Sequence, residues 1–426
     1  MVSLTTPFSL AEVQAIHQQY PTPFHLYDEA RMRQRARYLQ VTMASAGVPG
    51  FRNYFAVKAL PNPVVVGLLA EEGMGVDCSS MAELAIAEMC GLRGDDIMFT
   101  SNNTTDEEFA YAASLGAIIN FDDVSLVRKY LARHGAPRVA CCRFNPGDLE
   151  FGGVNEELIG SPREAKYGMP LEDILESYRL LKEAGVTQFG LHTMLLSNEL
   201  DFHKHQLIAE KLFAAARRVA SEVGISFQFI NLGGGIGVPY RPSEQAFELE
   251  SFAAILSKIY HEAGLENIGA PAIVMENGRY ATAEAGWLVT KVINEKRTHK
   301  QYVGVDASMS DLMRPGMYRA YHHISVLGKE DQPAELTVDV VGSLCENNDK
   351  FAIDRALPAI AEGDLLVIHT TGAHGQSMGF QYNGRLRHAE LLRRSDGSVD
   401  MIRRAETLDD YFATLTTKGV YHVPTN

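Results

Sequence analysis

Eight short apolar, β-branched runs, separated mostly by stretches of helical period, constrain this chain more than any other feature. The runs are residues 54–58, 75–78, 97–100, 118–121, 139–144, 189–194, 229–233 and 273–276, and helix-like stretches include 61–72, 80–90, 105–115, 171–184, 202–223 and 243–263. Such alternation favours parallel β/α units over an all-β or bundle arrangement. Eight units in roughly 230 residues match the size of a (β/α)8 barrel of the TIM type. A doubly wound open sheet satisfies the same periodicity and stays open at this point.

After Arg279 the texture changes to short strand-like runs at 286–293, 301–305, 322–326, 334–341, 364–368 and 389–393, separated by turn clusters. This pattern predicts a second, mainly β domain. The chain opens with a helix-like stretch at 10–19 and a strand-like run at 24–27 that is available to pair with the C-terminal sheet. The expected division is a barrel over 29–284 and a β domain over 285–426 joined by 1–28. The connection 145–170, rich in glycine, proline and acidic residues, reads as a mobile loop at the functional face.

Charge narrows the partners. Thirty-nine Lys and Arg against 53 Asp and Glu leave a formal net charge of −14, which argues against nucleic acid. Five cysteines with no CxxC spacing indicate neither a disulfide framework nor a zinc knuckle. No apolar run approaches the roughly 20 residues of a spanning helix, so a cytoplasmic protein without a membrane partner is expected.

In a β/α barrel the strands' C-terminal ends face the active site. Here those ends carry Lys58, Asp77 with Cys78, Arg143, His192, Gly233 to Gly235, and Glu276 with Arg279. The apolar run before Lys58 would bury its stem and favour the neutral amine, a nucleophile toward aldehydes; a solvated lysine at a strand end is the plainer reading. The glycines of Gly233-Gly234-Gly235-Ile236-Gly237 would let backbone N–H groups approach a phosphate, although a tight turn explains them equally well. Glu276 and Arg279 also read as a simple ion pair. In the β domain, Arg314 beside Tyr318 and Tyr321 suits a carboxylate, with a surface loop as the plainer alternative, whereas Cys345 reads first as a small apolar residue. His322 and His323, adjacent on a strand, point to opposite faces and receive no metal.

Taken together, these motifs resemble the fold-type-III pyridoxal-phosphate decarboxylases, the alanine-racemase-like barrel group, and within it the diaminopimelate decarboxylases. The resemblance rests on Tyr54-Phe55-Ala56-Val57-Lys58-Ala59, Asn231-Leu232-Gly233-Gly234-Gly235-Ile236-Gly237, Glu276-Asn277-Gly278-Arg279, Met313-Arg314-Pro315-Gly316-Met317-Tyr318, Cys345-Glu346-Asn347-Asn348-Asp349, and Gly372-Ala373-His374-Gly375 followed by Tyr382-Asn383. It implies pyridoxal 5'-phosphate as cofactor, held by Lys58 as a Schiff base, with Glu276 on the pyridine nitrogen. Gly233, Gly234, Gly235, Ser197 and Tyr382 would cradle the phosphate, and His192 belongs to the same cofactor-binding set. Arg279 would serve the phosphate or the substrate. Arg314 and Tyr318 would hold a distal carboxylate, with Tyr382 also on the substrate side. Cys345 would deliver a proton and Glu346 would meet the substrate amine, both from the neighbouring subunit of a homodimer.

The implied reaction is meso-diaminopimelate to L-lysine plus CO2, a step of lysine biosynthesis. Three departures stand out. Met194 replaces the family's ring-stacking histidine and Leu195-Leu196 its Ile-Gly; Asn277 replaces a proline; His374 replaces a tyrosine. The first motivates an alternative, a related decarboxylase acting on a D-amino acid or an acylated diamino acid. A racemase on the same barrel, or a cofactor carrier without catalysis, accounts less well for the Arg314 and Cys345 motifs.

Overall fold

The computed structural model describes residues 6–147, 149 and 161–416, which divide into two compact units. One unit comprises the described residues of 28–286 with 370–377; the other comprises 6–27, 287–369 and 378–416. In chain order the first strand, β1 (Phe24–Asp28), belongs to the second unit's sheet.

The first unit is a closed parallel barrel of β2 (Arg52–Ala56), β3 (Gly75–Cys78), β4 (Ile97–Ser101), β5 (Ile118–Phe121), β6 (Ala140–Arg143), β7 (Phe189–His192), β8 (Phe227–Asn231) and β9 (Ala272–Met275). Closure is explicit, because β9 returns to pair with β2 at Arg52 with Val274 and Asn53 with Met275; the open-sheet arrangement is thereby excluded. Tyr54, Met98, Ile118, Val139, Cys141, Phe229 and Val274 fill part of the interior. Two rings dictate small neighbours. A Cβ on Gly75 would sit 2.5 Å from the Tyr54 ring, and one on Gly190 would sit 2.1 Å from that of Phe229. The helices start where the sequence supplies caps: Ser80 accepts from Glu83 N–H ahead of Met81–Met89, and Thr105 forms a capping box with Glu108 ahead of Asp106–Ser114.

The second unit is built on β10 (Gly286–Arg297), β11 (Gln301–Val305), β12 (Ile324–Val326), β13 (Leu336–Val341), β14 (Lys350–Leu357), β15 (Leu365–Ile368), β16 (Ala389–Arg393) and β17 (Val399–Arg403). With β1 they form a nine-stranded sheet in the order β14-β13-β11-β10-β1-β16-β17, with β15 pairing β10 and β12. The N-terminal strand therefore does join the C-terminal sheet. The two faces of β10 enter different cores: Leu288 and Val292 pack with Val303, Val338 and Leu366, while Trp287 and Val289 pack with Phe8, Phe24 and Leu391. Two covered faces account for its continuous apolar run.

Several sequence expectations need correction. Strands β14 and β17 and the helices Glu29–Ser45 and Val124–His134 escaped the periodicity, because their core positions are diluted by charge; in Glu29–Ser45 the buried Met32, Ala36, Leu39 and Met43 alternate with four arginines. Five barrel strands, β2, β6, β7, β8 and β9, also stop two residues or one before the expected end, so functional groups sit on the turns that follow. Of the loop expected at 145–170, residues 148 and 150–160 lie outside the described residues. Among the described residues no helix is long and apolar enough to cross a membrane.

Candidate active site

At the C-terminal ends of the barrel strands, one charged network joins four strands. Lys58 does not close β2 but lies on the 3-10 turn Val57–Ala59, with its Nζ 3.9 Å from Asp77 Oδ2 at the end of β3. Its side chain is 53% exposed, so the expected desolvation of the amine is not met in this chain. Asp77 is 3% exposed, and its Oδ1 has no hydrogen-bond partner among the described residues. Burial first, and then the nearby Glu276 charge, raise the Asp77 carboxyl well above its ordinary range, with Lys58 pulling the other way.

Glu276 follows β9 and is buried. Asn231, the last residue of β8, donates from Nδ2 to Glu276 Oε1 at 2.7 Å. Its amide cannot turn round, because Gly233 N–H donates to Asn231 Oδ1 at 2.8 Å. On the other side, His192 Nε2 lies 3.2 Å from Glu276 Oε2, a charge contact rather than an aligned hydrogen bond. Asn120 Nδ2 lies 2.8 Å from His192 Nδ1 and 3.2 Å from Thr100 Oγ1. The imidazole is thus held between Asn120 on its Nδ1 side and the Glu276 carboxylate on its Nε2 side. Burial raises the Glu276 carboxyl, but His192, Lys58 and Asn231 outweigh it and hold it down to about 2.

Beyond β8 the glycine turn is required by space. Gly233 and Gly235 have φ of +66° and +102°, and a Cβ at Gly234 would lie 2.5 Å from Glu276 O. Gly234 N–H points to Met194 Sδ at 3.0 Å, so the thioether that replaces the expected histidine touches this turn. Arg279 donates to Tyr240 Oη, while Glu276 takes its partners from Asn231 and His192; the two are not simply each other's ion pair. Ser197 is half-buried in the segment after β7, which pairs with the glycine turn through Glu199 and Ile236. Arg143 is buried between Asp122, 3.3 Å away, and the Tyr167 ring, and donates to Met194 O at 3.2 Å. His374 folds back onto the lysine turn, its N–H donating to Ala59 O at 2.9 Å.

The remaining predicted residues lie in the second unit. Arg314 is 9% exposed and opens the short helix Arg314–Tyr318, whereas Tyr318, Cys345, Glu346 and Tyr382 are exposed. Cys345 N–H donates to Asn383 Oδ1 at 2.7 Å. Asp349 ties two of these stretches together, accepting Met309 N–H at 2.6 Å and Leu344 N–H at 2.7 Å. Sequence reasoning missed the roles of Asn120, Asn231 and Tyr240, and named Asp77 at its strand end without giving it one. Asn231 was within reach, since it closes a strand immediately before the glycine turn.

An amine, a carboxylate held ionised, and a glycine turn that admits only bare backbone suit a phosphorylated aromatic aldehyde, with the amine for the aldehyde, the carboxylate for a ring nitrogen and the turn for the phosphate. The comparisons agree. The family described as "Pyridoxal-dependent decarboxylase, pyridoxal binding domain" matches residues 32–283. Protein TabA of Pseudomonas amygdali pv. tabaci is 46% identical over 392 residues, covering 92% of this chain and 90% of that protein. Diaminopimelate decarboxylase of Methanothermobacter thermautotrophicus is 37% identical over 404 residues, covering 94% and 93%. Among solved structures, diaminopimelate decarboxylase from M. jannaschii in co-complex with L-lysine superimposes with a TM-score of 0.85 at 27% identity, covering 96% of this chain and 95% of that one. The chain belongs to the fold-type-III pyridoxal-dependent decarboxylases, carboxy-lyases that use pyridoxal phosphate.

Proposed function

We propose that this decarboxylase acts on an amino acid with a second, distal carboxylate, meso-diaminopimelate, and releases L-lysine and CO2 in lysine biosynthesis. The buried guanidinium of Arg314 carries the reading. A fixed bidentate cation attracts a distal carboxylate and repels a free distal ammonium, which disfavours ornithine. Similarity to the M. thermautotrophicus diaminopimelate decarboxylase supports the same choice.

In this reading Lys58 bonds the cofactor aldehyde, Glu276 holds the ring nitrogen protonated, and the Gly233–Gly235 turn with Ser197, Arg279 and Tyr382 holds the phosphate. Bound pyridoxal phosphate supplies the conjugated ring that accepts the electron pair left by departing CO2. His192 steadies the Glu276 charge from the side opposite Asn231. Tyr318 assists Arg314, Glu346 meets the substrate amine, and Cys345 hands a proton to the product carbon. The protein works as a homodimer in which Cys345 and Glu346 serve the neighbouring chain, in the cytoplasm.

Met194 favours a second reading. It stands where the resembling family stacks a histidine, and TabA at 46% identity carries no substrate in its name; an acylated diamino acid or a D-amino acid is the alternative. Initial rates of CO2 release from meso-diaminopimelate, ornithine, D-lysine and an N-acylated diaminopimelate separate the two. The proposal expects diaminopimelate to dominate, with L-lysine as product. Preferred turnover of the acylated compound or D-lysine would transfer the assignment to the alternative.

A further inference from the structure

The β unit contains a buried chain of titratable side chains that the reaction above does not use. Asp311, His388 and His25 are 4%, 4% and 0% exposed. His388 Nδ1 lies 2.6 Å from Asp311 Oδ1, and His388 Nε2 lies 2.5 Å from His25 Nδ1. Three separate stretches are joined in this way: the segment leading to Arg314, the residue just ahead of β16, and β1.

The proton order follows from chemistry. An ionised carboxylate only accepts, so the His388 proton sits on Nδ1. Its Nε2 then accepts from His25 Nδ1–H. Every donor points toward Asp311, and His25 Nε2 is left as a bare lone pair with no partner among the described residues. The surroundings keep His25 neutral: burial first, with the nearby Arg387 charge adding to it, holds its imidazole well below the ordinary range. Its ring also stacks on Tyr27, which donates to Glu390 Oε1 at 2.7 Å. Asp311 in turn faces Arg387 and the carboxylate of Asp349, and Arg387 itself faces Glu406, Glu390 and Arg403.

The second oxygen of Asp311 closes the turn that feeds Arg314. Ser308 donates to Asp311 Oδ2 from its N–H at 2.8 Å and its hydroxyl at 3.3 Å, and Asp311 N–H returns a 2.8 Å bond to Ser308 O. Arg314 begins its helix three residues later. Without His388, one oxygen of a buried anion would lose its charge-assisted donor, and the turn would have reason to open.

We propose that His388, backed by His25, is a positioning residue for Arg314, holding the Ser308–Asp311 turn closed so that the guanidinium is presented in one orientation. The inference rests on the assignment of Arg314 to the substrate's distal carboxylate. The test uses the pyridoxal-phosphate-loaded enzyme in three variants. His388→Leu removes the donor to Asp311; His388→Asn keeps an N–H near the Nδ1 position; His25→Phe breaks only the second link. In His388→Leu, amide exchange at residues 308–314 should accelerate about tenfold, and KM for meso-diaminopimelate should rise by a similar factor, with kcat within about threefold of the parent. His388→Asn should restore most of both. Should His388→Leu not fold, His25→Phe carries the test and must exchange faster over 308–314 than the parent. Unchanged exchange in the folded variants, or no recovery in His388→Asn, overturns the proposal. Arg314→Leu is the separate control: unchanged KM there defeats the Arg314 assignment, while exchange over 308–314 still decides the His388 chain.

Discussion

The barrel and the β unit present most of their candidate functional groups in opposite ways, with Lys58, 53% exposed, and Arg314, 9% exposed, as the exception in each. In the barrel, Glu276, His192 and Asn231 are buried and hold one another through side-chain contacts, so the carboxylate's charge and direction are fixed before anything binds. In the β unit, Cys345, Glu346, Tyr318 and Tyr382 are exposed, and what is fixed is neighbouring backbone: buried Asp349 accepts from Met309 and Leu344 N–H, and buried Asp311 from Ser308 N–H. In the proposed function the contrast separates two tasks. Stabilising developing charge needs a dry, preorganised site, whereas choosing and protonating a substrate needs side chains that can meet it.

That division can be broken in stages. Lys58→Ala removes the barrel's amine, so the absorbance band of bound cofactor should vanish and CO2 release should fall by about 10⁴-fold or more; a retained band would mean that another amine holds the aldehyde. Glu276→Gln keeps the shape but removes the charge. It should leave the cofactor bound and lower kcat by about 10²- to 10³-fold, and a near-normal kcat would show that the fixed charge is idle. Cys345→Ala, on the other unit, should bind cofactor normally yet lose about 10²-fold in product formation; unchanged product formation would take the proton-delivery role from it.

The smallest effect lies away from the site. His205, on the helix Phe202–Val219, is buried against Phe247 and Phe252, and burial lowers its pKa to about 3. An unfolded histidine takes up its proton near about 6.5, so the stability owed to neutral His205 is complete above that pH and is lost as pH falls toward 3. His205→Phe should flatten the fall in melting temperature between about pH 6 and 4; a slope equal to the parent's would show that other groups govern acid unfolding.

The same contrast explains what was legible in the sequence. Barrel strands are buried on both faces and read as apolar runs, so all eight could be found and their ends searched for function. Lys58, the glycine turn and Glu276 came from that search. Asn120 stayed silent, because a buried amide takes its meaning from partners on other strands, which spacing along the chain does not reveal. In the β unit, β14 escaped notice: Ile353 is exposed, Asp354 has a positive φ, and the ladder to β13 is irregular. The Asp311–His388–His25 chain joins positions 286 and 363 residues apart, beyond the reach of any local pattern.

The claim that the barrel supplies the chemistry while Arg314 selects the substrate meets its most direct test in the ratio of kcat/KM for meso-diaminopimelate to that for ornithine, measured in the parent enzyme and in Arg314→Leu. The account predicts that the parent strongly prefers diaminopimelate and that the variant loses about 10²-fold of the ratio, mainly through KM. Comparable turnover of ornithine by the parent, or a ratio unmoved by the substitution, would contradict it.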